Sequence, residues 1–271
     1  MNIFAGKTCV VTGSGSGIGK AIAELLLQHG ATVYALDINE EGLENLAWDG
    51  DSSRLHKARI DVTDDCAVTD QLSLVVEQSG AIDYLFNIAG ISIVGEARDL
   101  SRDHWRKIID VNLNGVINTA VYTYQQMVRQ GHGHIVNMAS VQGFVPIPLE
   151  APYVTSKFAV VGLSQALRVE GRDLGVNVSV VCPGMVETPI FDSPMINIPR
   201  EKHADFMKPW QRFAVSPQAC AECVLRGVKK NRAIIPVTFL AKLMWWIGRI
   251  TPNGLNAILT SDLAKLRTAL K

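Results

Sequence analysis

Tyr153-Val154-Thr155-Ser156-Lys157 puts a phenol and an ammonium four residues apart, in a segment that reads as the opening of a helix. Pro152 sits where a first-turn proline is tolerated, and Phe158, Val161, Leu163 and Leu167 continue with roughly helical spacing. Residues i and i+4 share a helix face, so Tyr153 and Lys157 look the same way. A phenol is a poor base at neutral pH because its ordinary pKa is about 10. A cation held within about 4–6 Å favours the phenolate and lowers that value. A shift of about three units asks for about 4 kcal/mol of differential interaction, which a partly desolvated site can supply. The chemistry on offer is proton transfer to and from an oxygen. Read alone, the same five residues also describe an ordinary helix that carries a tyrosine and a lysine.

Such a pair needs a frame, and the chain supplies an alternating one. Strand-like apolar runs end near Val11, Asp37, Ile60, Phe86, Met138 and Cys182, with a weaker run at 233–237. Helical stretches lie around 18–29, 40–47, 64–79, 101–129, 153–174 and 217–230. Continuous apolar strands alternating with helices imply a parallel sheet covered on both faces. The expected fold is α/β, a doubly wound parallel sheet of Rossmann type. It is read as a single domain over 1–238, followed by an apolar and basic helical extension over 239–271.

The first strand runs into Thr12-Gly13-Ser14-Gly15-Ser16-Gly17-Ile18-Gly19 and then a helix. Glycines there let the backbone turn sharply and approach a pyrophosphate, whose charge sits on the helix N-terminus. Gly13, Ser16, Gly17, Ile18 and Gly19 are the cofactor-binding candidates of this turn. The second strand ends in Asp37, 18 residues after Gly19, where an acid can accept both ribose hydroxyls and repel a 2′-phosphate. Ser16 and Ile38 offer no positive charge to such a phosphate, so NAD is expected over NADP. Asp37 could equally cap the helix beginning near Glu40, and both roles can hold together.

The 271 residues carry 26 basic and 26 acidic side chains, a balance that argues against nucleic acid as the main partner. Five cysteines form an odd set, and no charged-then-apolar leader precedes the run from Lys7 to Val11. Reduced thiols in a cytoplasmic protein are expected. Cys220 and Cys223 have C-x-x-C spacing without a second pair or a histidine cluster, and His132 and His134 lack further ligands, so no metal site is assigned.

Taken together, these motifs resemble the short-chain dehydrogenase/reductase family over roughly residues 5 to 190. Thr12 to Gly19 follows the family's Thr-Gly-x-x-x-Gly-x-Gly pattern, and Asp61-Val62 matches the pair that lies against the adenine. Asn87-Ile88-Ala89-Gly90 is similar to the family's Asn-Asn-Ala-Gly, departing at Ile88. Asn112 matches the helix asparagine, Ser140 stands 13 residues before Tyr153, and Pro183, Gly184 and Thr188 resemble the loop that faces the nicotinamide. The resemblance implies an oxidoreductase with Asn112, Ser140, Tyr153 and Lys157 as catalytic residues. Tyr153 would be the general acid/base. Ser140 would donate to the substrate oxygen, Lys157 would also bind the nicotinamide ribose, and Asn112 would hold a water linking Lys157 to solvent. Cofactor contacts would come from Asn87, Ala89 and Gly90 as well, in a homodimer or homotetramer built on the long helices.

The substrate is expected to be a hydrophobic secondary alcohol or ketone, lipid-, steroid- or retinoid-like, with Phe144, Leu149 and Phe191 as candidate contacts. The segment 189–214 is irregular yet apolar and reads as a lid. From Phe239 to Ile250 an apolar run carries Lys242 and Arg249 and is too short and charged to span a membrane. Three roles stay open for it: packing on the domain or a second subunit, a pocket lid, or peripheral membrane contact. The rival readings are an NADP-linked carbonyl reductase of the same fold, a catalytically idle NAD-binding protein, and a membrane-surface protein.

Overall fold

The computed structural model describes residues 2–269. The apolar runs pair as seven parallel strands: β1 (Thr8–Thr12), β2 (Thr32–Asp37), β3 (Leu55–Arg59), β4 (Tyr84–Asn87), β5 (Gly133–Met138), β6 (Val176–Cys182) and β7 (Ile234–Pro236). Their order across the sheet is β3-β2-β1-β4-β5-β6-β7. All of β1 is buried, as a strand covered on both faces must be. The order reverses between β1 and β4, and at such a point the strand ends open a crevice.

Helices α1 (Gly17–Gln28) and α8 (Pro217–Lys229) share one core with one face of the sheet. On the other face lie α3 (Asp65–Ser79), α5 (Gly115–Gln130) and α6 (Ala151–Glu170). Short polar side chains start several of the helices by accepting orphan backbone N–H groups. Asn39 caps the short α2 (Glu40–Glu44), Asp64 caps α3, and Ser101 caps α4 (Arg102–Ile109) in a box with His104. The long helix expected over 101–129 is interrupted: between α4 and α5, Asp110–Asn114 form a wider π turn. Such bulges recur at functional sites.

The segment expected to be irregular holds a short turn of helix, Pro189–Asp192, and then α7 (Arg200–Gln211). Beyond β7 the chain forms two helices, α9 (Phe239–Ile250), capped by Thr238, and α10 (Pro252–Ala269). Ala241, Met244 and Ile247 of α9 pack with Val141, Val145 and Leu255. Leu263 and Leu266 of α10 pack with Val94, Leu149 and Ile198. The extension therefore packs on its own domain, while Phe239, Leu243, Trp246 and Ile250 face outward along one side of α9. No described helix is long and apolar enough to cross a membrane.

Candidate active site

A cavity of about 1100 Å³ opens where the strand order reverses. One end is built by the glycine turn. Gly13 takes φ +69°, and a Cβ there would stand 2.7 Å from the Ala89 nitrogen. A Cβ on Gly19 would run into the Gly13 carbonyl oxygen. At Gly13 and Gly19 the turn is thus packed too tightly for side chains, which lets its backbone approach a ligand closely. The Thr12 hydroxyl fastens that corner by accepting from the Ile88 and Ala89 nitrogens, at 3.1 and 3.3 Å.

Asp37 closes the same end. One carboxylate oxygen accepts from Gly15 N and the other from Asn39 N, each at 2.8 Å. An ionised carboxylate has about four acceptor positions, so capacity remains for a ligand. The nearby cations Lys20 and Arg59 donate to the backbone carbonyls of Asn45 and Ile38, at 2.8 and 3.2 Å. A glycine-rich turn at a helix N-terminus, followed by a carboxylate with spare acceptors, fits a dinucleotide. Every residue expected at the cofactor lies on this cavity wall except Asn87. Asn87 turns inward instead. It accepts from Thr119 at 2.7 Å and donates to Asn137 at 2.9 Å, and Asn137 donates on to Ser164 at 3.0 Å. This buried ladder ties α5, β4, β5 and α6 together, and Asn137 was not singled out from the sequence.

The other end holds the reactive group. Ser140, Tyr153 and Lys157 all line it. The Lys157 ammonium lies 5.3 Å from the centre of the Tyr153 ring and donates to Met138 O at 3.0 Å. Burial pulls its pKa down to about 8, against a smaller upward influence of Cys182. The Tyr153 phenol behaves contrary to expectation. Burial first and the Glu150 charge second push its pKa above the ordinary range, and a hydrogen bond with Ser140 only partly offsets them. Lys157, itself desolvated, donates to the Met138 carbonyl.

Asn112 also departs from the cavity wall. Fully buried at the π turn, it donates to Ile91 O at 2.9 Å and accepts from Ile91 N at 2.8 Å. It also donates to the Ser156 hydroxyl at 3.3 Å, so it locks the β4 corner onto α6. Of the substrate candidates, Leu149 and Phe191 face the cavity. Phe144 does not. Its ring lies 6.1 Å from that of Trp245, a partner that α9 supplies and that sequence spacing could not announce.

A buried acidic residue beside Tyr153 was not anticipated. Glu150 accepts from the Ser92 hydroxyl and from Gln142 Nε2, the latter at 2.6 Å. Burial pushes its pKa up, and those two bonds pull it back. Its position three residues before Tyr153 was the available signal.

Residues 7–195 match the short chain dehydrogenase family. The chain belongs to that family. Among its relatives is the oxidoreductase UcpA of Salmonella typhimurium, 38% identical over 196 residues, 71% of this chain and 74% of that one. A short-chain dehydrogenase/reductase from Burkholderia phymatum, solved with NAD, superposes with a TM-score of 0.82 at 27% identity, covering 94% and 95% of the two chains. A gluconate 5-dehydrogenase from Burkholderia cenocepacia, solved with NADP and tartrate, is 33% identical with a TM-score of 0.65, over 69% and 74%. As a short-chain dehydrogenase, this chain is an oxidoreductase with a nicotinamide nucleotide site.

Proposed function

We propose that the protein is an NAD-dependent dehydrogenase of a secondary alcohol, or reductase of the matching ketone, whose substrate is largely apolar. The observation that carries this reading is the meeting of Ser140, Tyr153 and Lys157 at one end of the cavity that the glycine turn and Asp37 close at the other. A bound nicotinamide supplies the two-electron acceptor or donor and, when oxidised, a positive charge beside the phenol.

Tyr153 takes the hydroxyl proton in oxidation and returns it in reduction. With burial holding the phenol protonated in the free enzyme, Tyr153 is set up first as an acid. Lys157, half ionised near pH 8, supplies the local positive charge and a proton reservoir. Ser140 donates to the substrate oxygen, where charge develops. Asn112 acts as a positioning residue: it holds Ile91 and Ser156, between which the reactive corner is framed. The choice of NAD over NADP rests on Asp37, whose charge opposes a 2′-phosphate while Lys20 and Arg59 are tied to backbone carbonyls. Ile91, Ile93, Leu149, Ile190 and Met244 give the substrate end its apolar character, and α7, α9 and α10 form its outer wall and serve as a lid.

Phe158 and Val169 stand exposed on one face of α6, with Gly162 between them open to solvent, which supports assembly into a dimer or tetramer through the long helices. Five free thiols fit a reducing, cytoplasmic setting. The test is absorbance of the reduced cofactor with NAD or NADP across bulky and small secondary alcohols. Tyr153→Phe should lower kcat by about 10²- to 10⁴-fold while NADH still binds. Turnover that survives in the variant would remove Tyr153 from the mechanism, and equal use of NAD and NADP would remove the Asp37 argument.

A further inference from the structure

Beside the phenol, the cavity carries a polar cluster that has no task in the proton chemistry. Gln142 and Glu150 sit on its wall, and Ser92 joins them from the β4 corner. The Ser92 hydroxyl donates to one Glu150 oxygen, and Gln142 Nε2 donates to the other at 2.6 Å. That bond fixes which way the Gln142 amide points. Its Oε1 is then buried with no partner among the described residues. A buried acceptor left unpaired is unfavourable by about 1–3 kcal/mol, so such a group marks the place of a missing donor.

The backbone around the cluster is adapted to it. Leu149 takes φ 73°, a left-handed conformation rare for a bulky residue, immediately before Glu150. Strain of this kind collects at ligand clamps. The Gln142 nitrogen is bonded at 3.1 Å to the Ser140 hydroxyl, and the Glu150 charge is felt at the Tyr153 phenol. The cluster therefore adjoins the reacting oxygen.

We propose that Gln142 and Glu150 form an acceptor subsite for a second hydroxyl of the substrate, carried on a carbon near the one that reacts. This rests on the dehydrogenase reading above and narrows its substrate to an apolar frame bearing a diol or hydroxy-ketone. Gln142 Oε1 and the unused lone pairs of Glu150 offer acceptors alone, which select a donor. A carboxylate or phosphate there would face Glu150. An ammonium would pair with Glu150 but would stand beside the positive charges of Lys157 and the oxidised cofactor. A hydroxyl satisfies the cluster at no electrostatic penalty.

The experiment compares kcat/KM for matched triples on cyclohexyl, phenyl and decalin frames: a secondary alcohol, its diol, and the diol's mono-methyl ether. The ether keeps the bulk and removes the donor. The native enzyme should favour the diol over both others by about tenfold or more on at least one frame. In Gln142→Met that ratio should fall to within about twofold, and Glu150→Leu provides the second variant should the first fail to fold. A diol and ether turned over equally well by the native enzyme would overturn the subsite while leaving the dehydrogenase reading in place. A diol preference that survives in both variants would also overturn it. Silence of all triples with either cofactor would overturn both.

Discussion

Arg267, near the end of α10, forks onto Glu96, 171 positions earlier: Nη2 lies 2.6 Å from Oε2 and Nε 3.1 Å from Oε1. Glu96 is 8% exposed, and the Arg267 bonds hold its carboxyl below the usual range, with Arg98 adding to the effect. The pair fastens the outer wall of the cavity beside Leu266, which packs on Val94 and Leu149. Arg267→Ala should loosen α10 without unfolding the sheet. Substrate KM should rise about two- to fivefold, NADH affinity should hold, and proteolysis within the α9–α10 hairpin should quicken. An unchanged cleavage pattern would show that apolar packing alone holds the wall.

Lys157 makes stability depend on alkaline pH. Its folded pKa of about 8 is below the ordinary 10.5, so between these values the unfolded chain binds more protons. Stability should therefore rise through that window, by on the order of 3 kcal/mol from this group. Lys157→Met should lack this rise, melt at a higher temperature than the native protein near pH 7, and show no turnover. Parallel melting curves at pH 7 and pH 10 would contradict it.

His134 sets the opposite limit. It is buried against the Ser179 hydroxyl at 2.8 Å, and burial, helped by Arg168, pulls its pKa from 6.5 to about 3. The unfolded chain again binds more protons between these values, so stability is complete above pH 6.5 and drains as pH falls. The loss from this one group approaches on the order of 4 kcal/mol at the acid end. Urea unfolding at pH 6.5 and 4.5 should show a steeper fall for the native protein than for His134→Asn.

Asp37→Ala removes the proposed acceptor of ribose hydroxyls together with its bonds to the Gly15 and Asn39 nitrogens. KM for NAD should rise about ten- to a hundredfold, as loss of bonds to a charged group implies, and KM for NADP should change less. The ratio of the two is the measurement. A proportional rise in both would mean that Asp37 acts only by bracing the turn.

Legibility in the sequence followed locality. The glycine turn and Asp37 are written within a few dozen residues, and Tyr153 and Lys157 share one helical turn, so spacing alone relates them. The parallel sheet was legible because its strands are buried on both sides and read as unbroken apolar runs. Glu150 was not, because its partner Ser92 is 58 positions away and only the fold brings them together. Phe144 was assigned to substrate because nothing nearby in sequence competes for it, whereas α9 delivers Trp245 from a hundred residues on. The segment that holds α7 reads as irregular because Pro194, Pro199 and Pro209 punctuate it, and only the fold shows that a helix forms there. The raised pKa of the Tyr153 phenol in the chain without cofactor was illegible for another reason: charge spacing is visible in sequence, but desolvation is not.

Chain order also separates the two ends of the cavity in time. The glycine turn, Asp37, Asp61 and the corner at Gly90 all emerge from the ribosome before Gln142, Tyr153 or α10 has been made. The glycine end of the cavity is thus assembled mainly from early segments, whereas Tyr153, the loop at Pro183-Gly184 and the outer helices come late. The contact of Arg267 with Glu96 spans 171 positions, and such non-local closures come slowly. Nucleotide that settles on the early wall stabilises it by mass action and gives the late segments a finished surface on which to close.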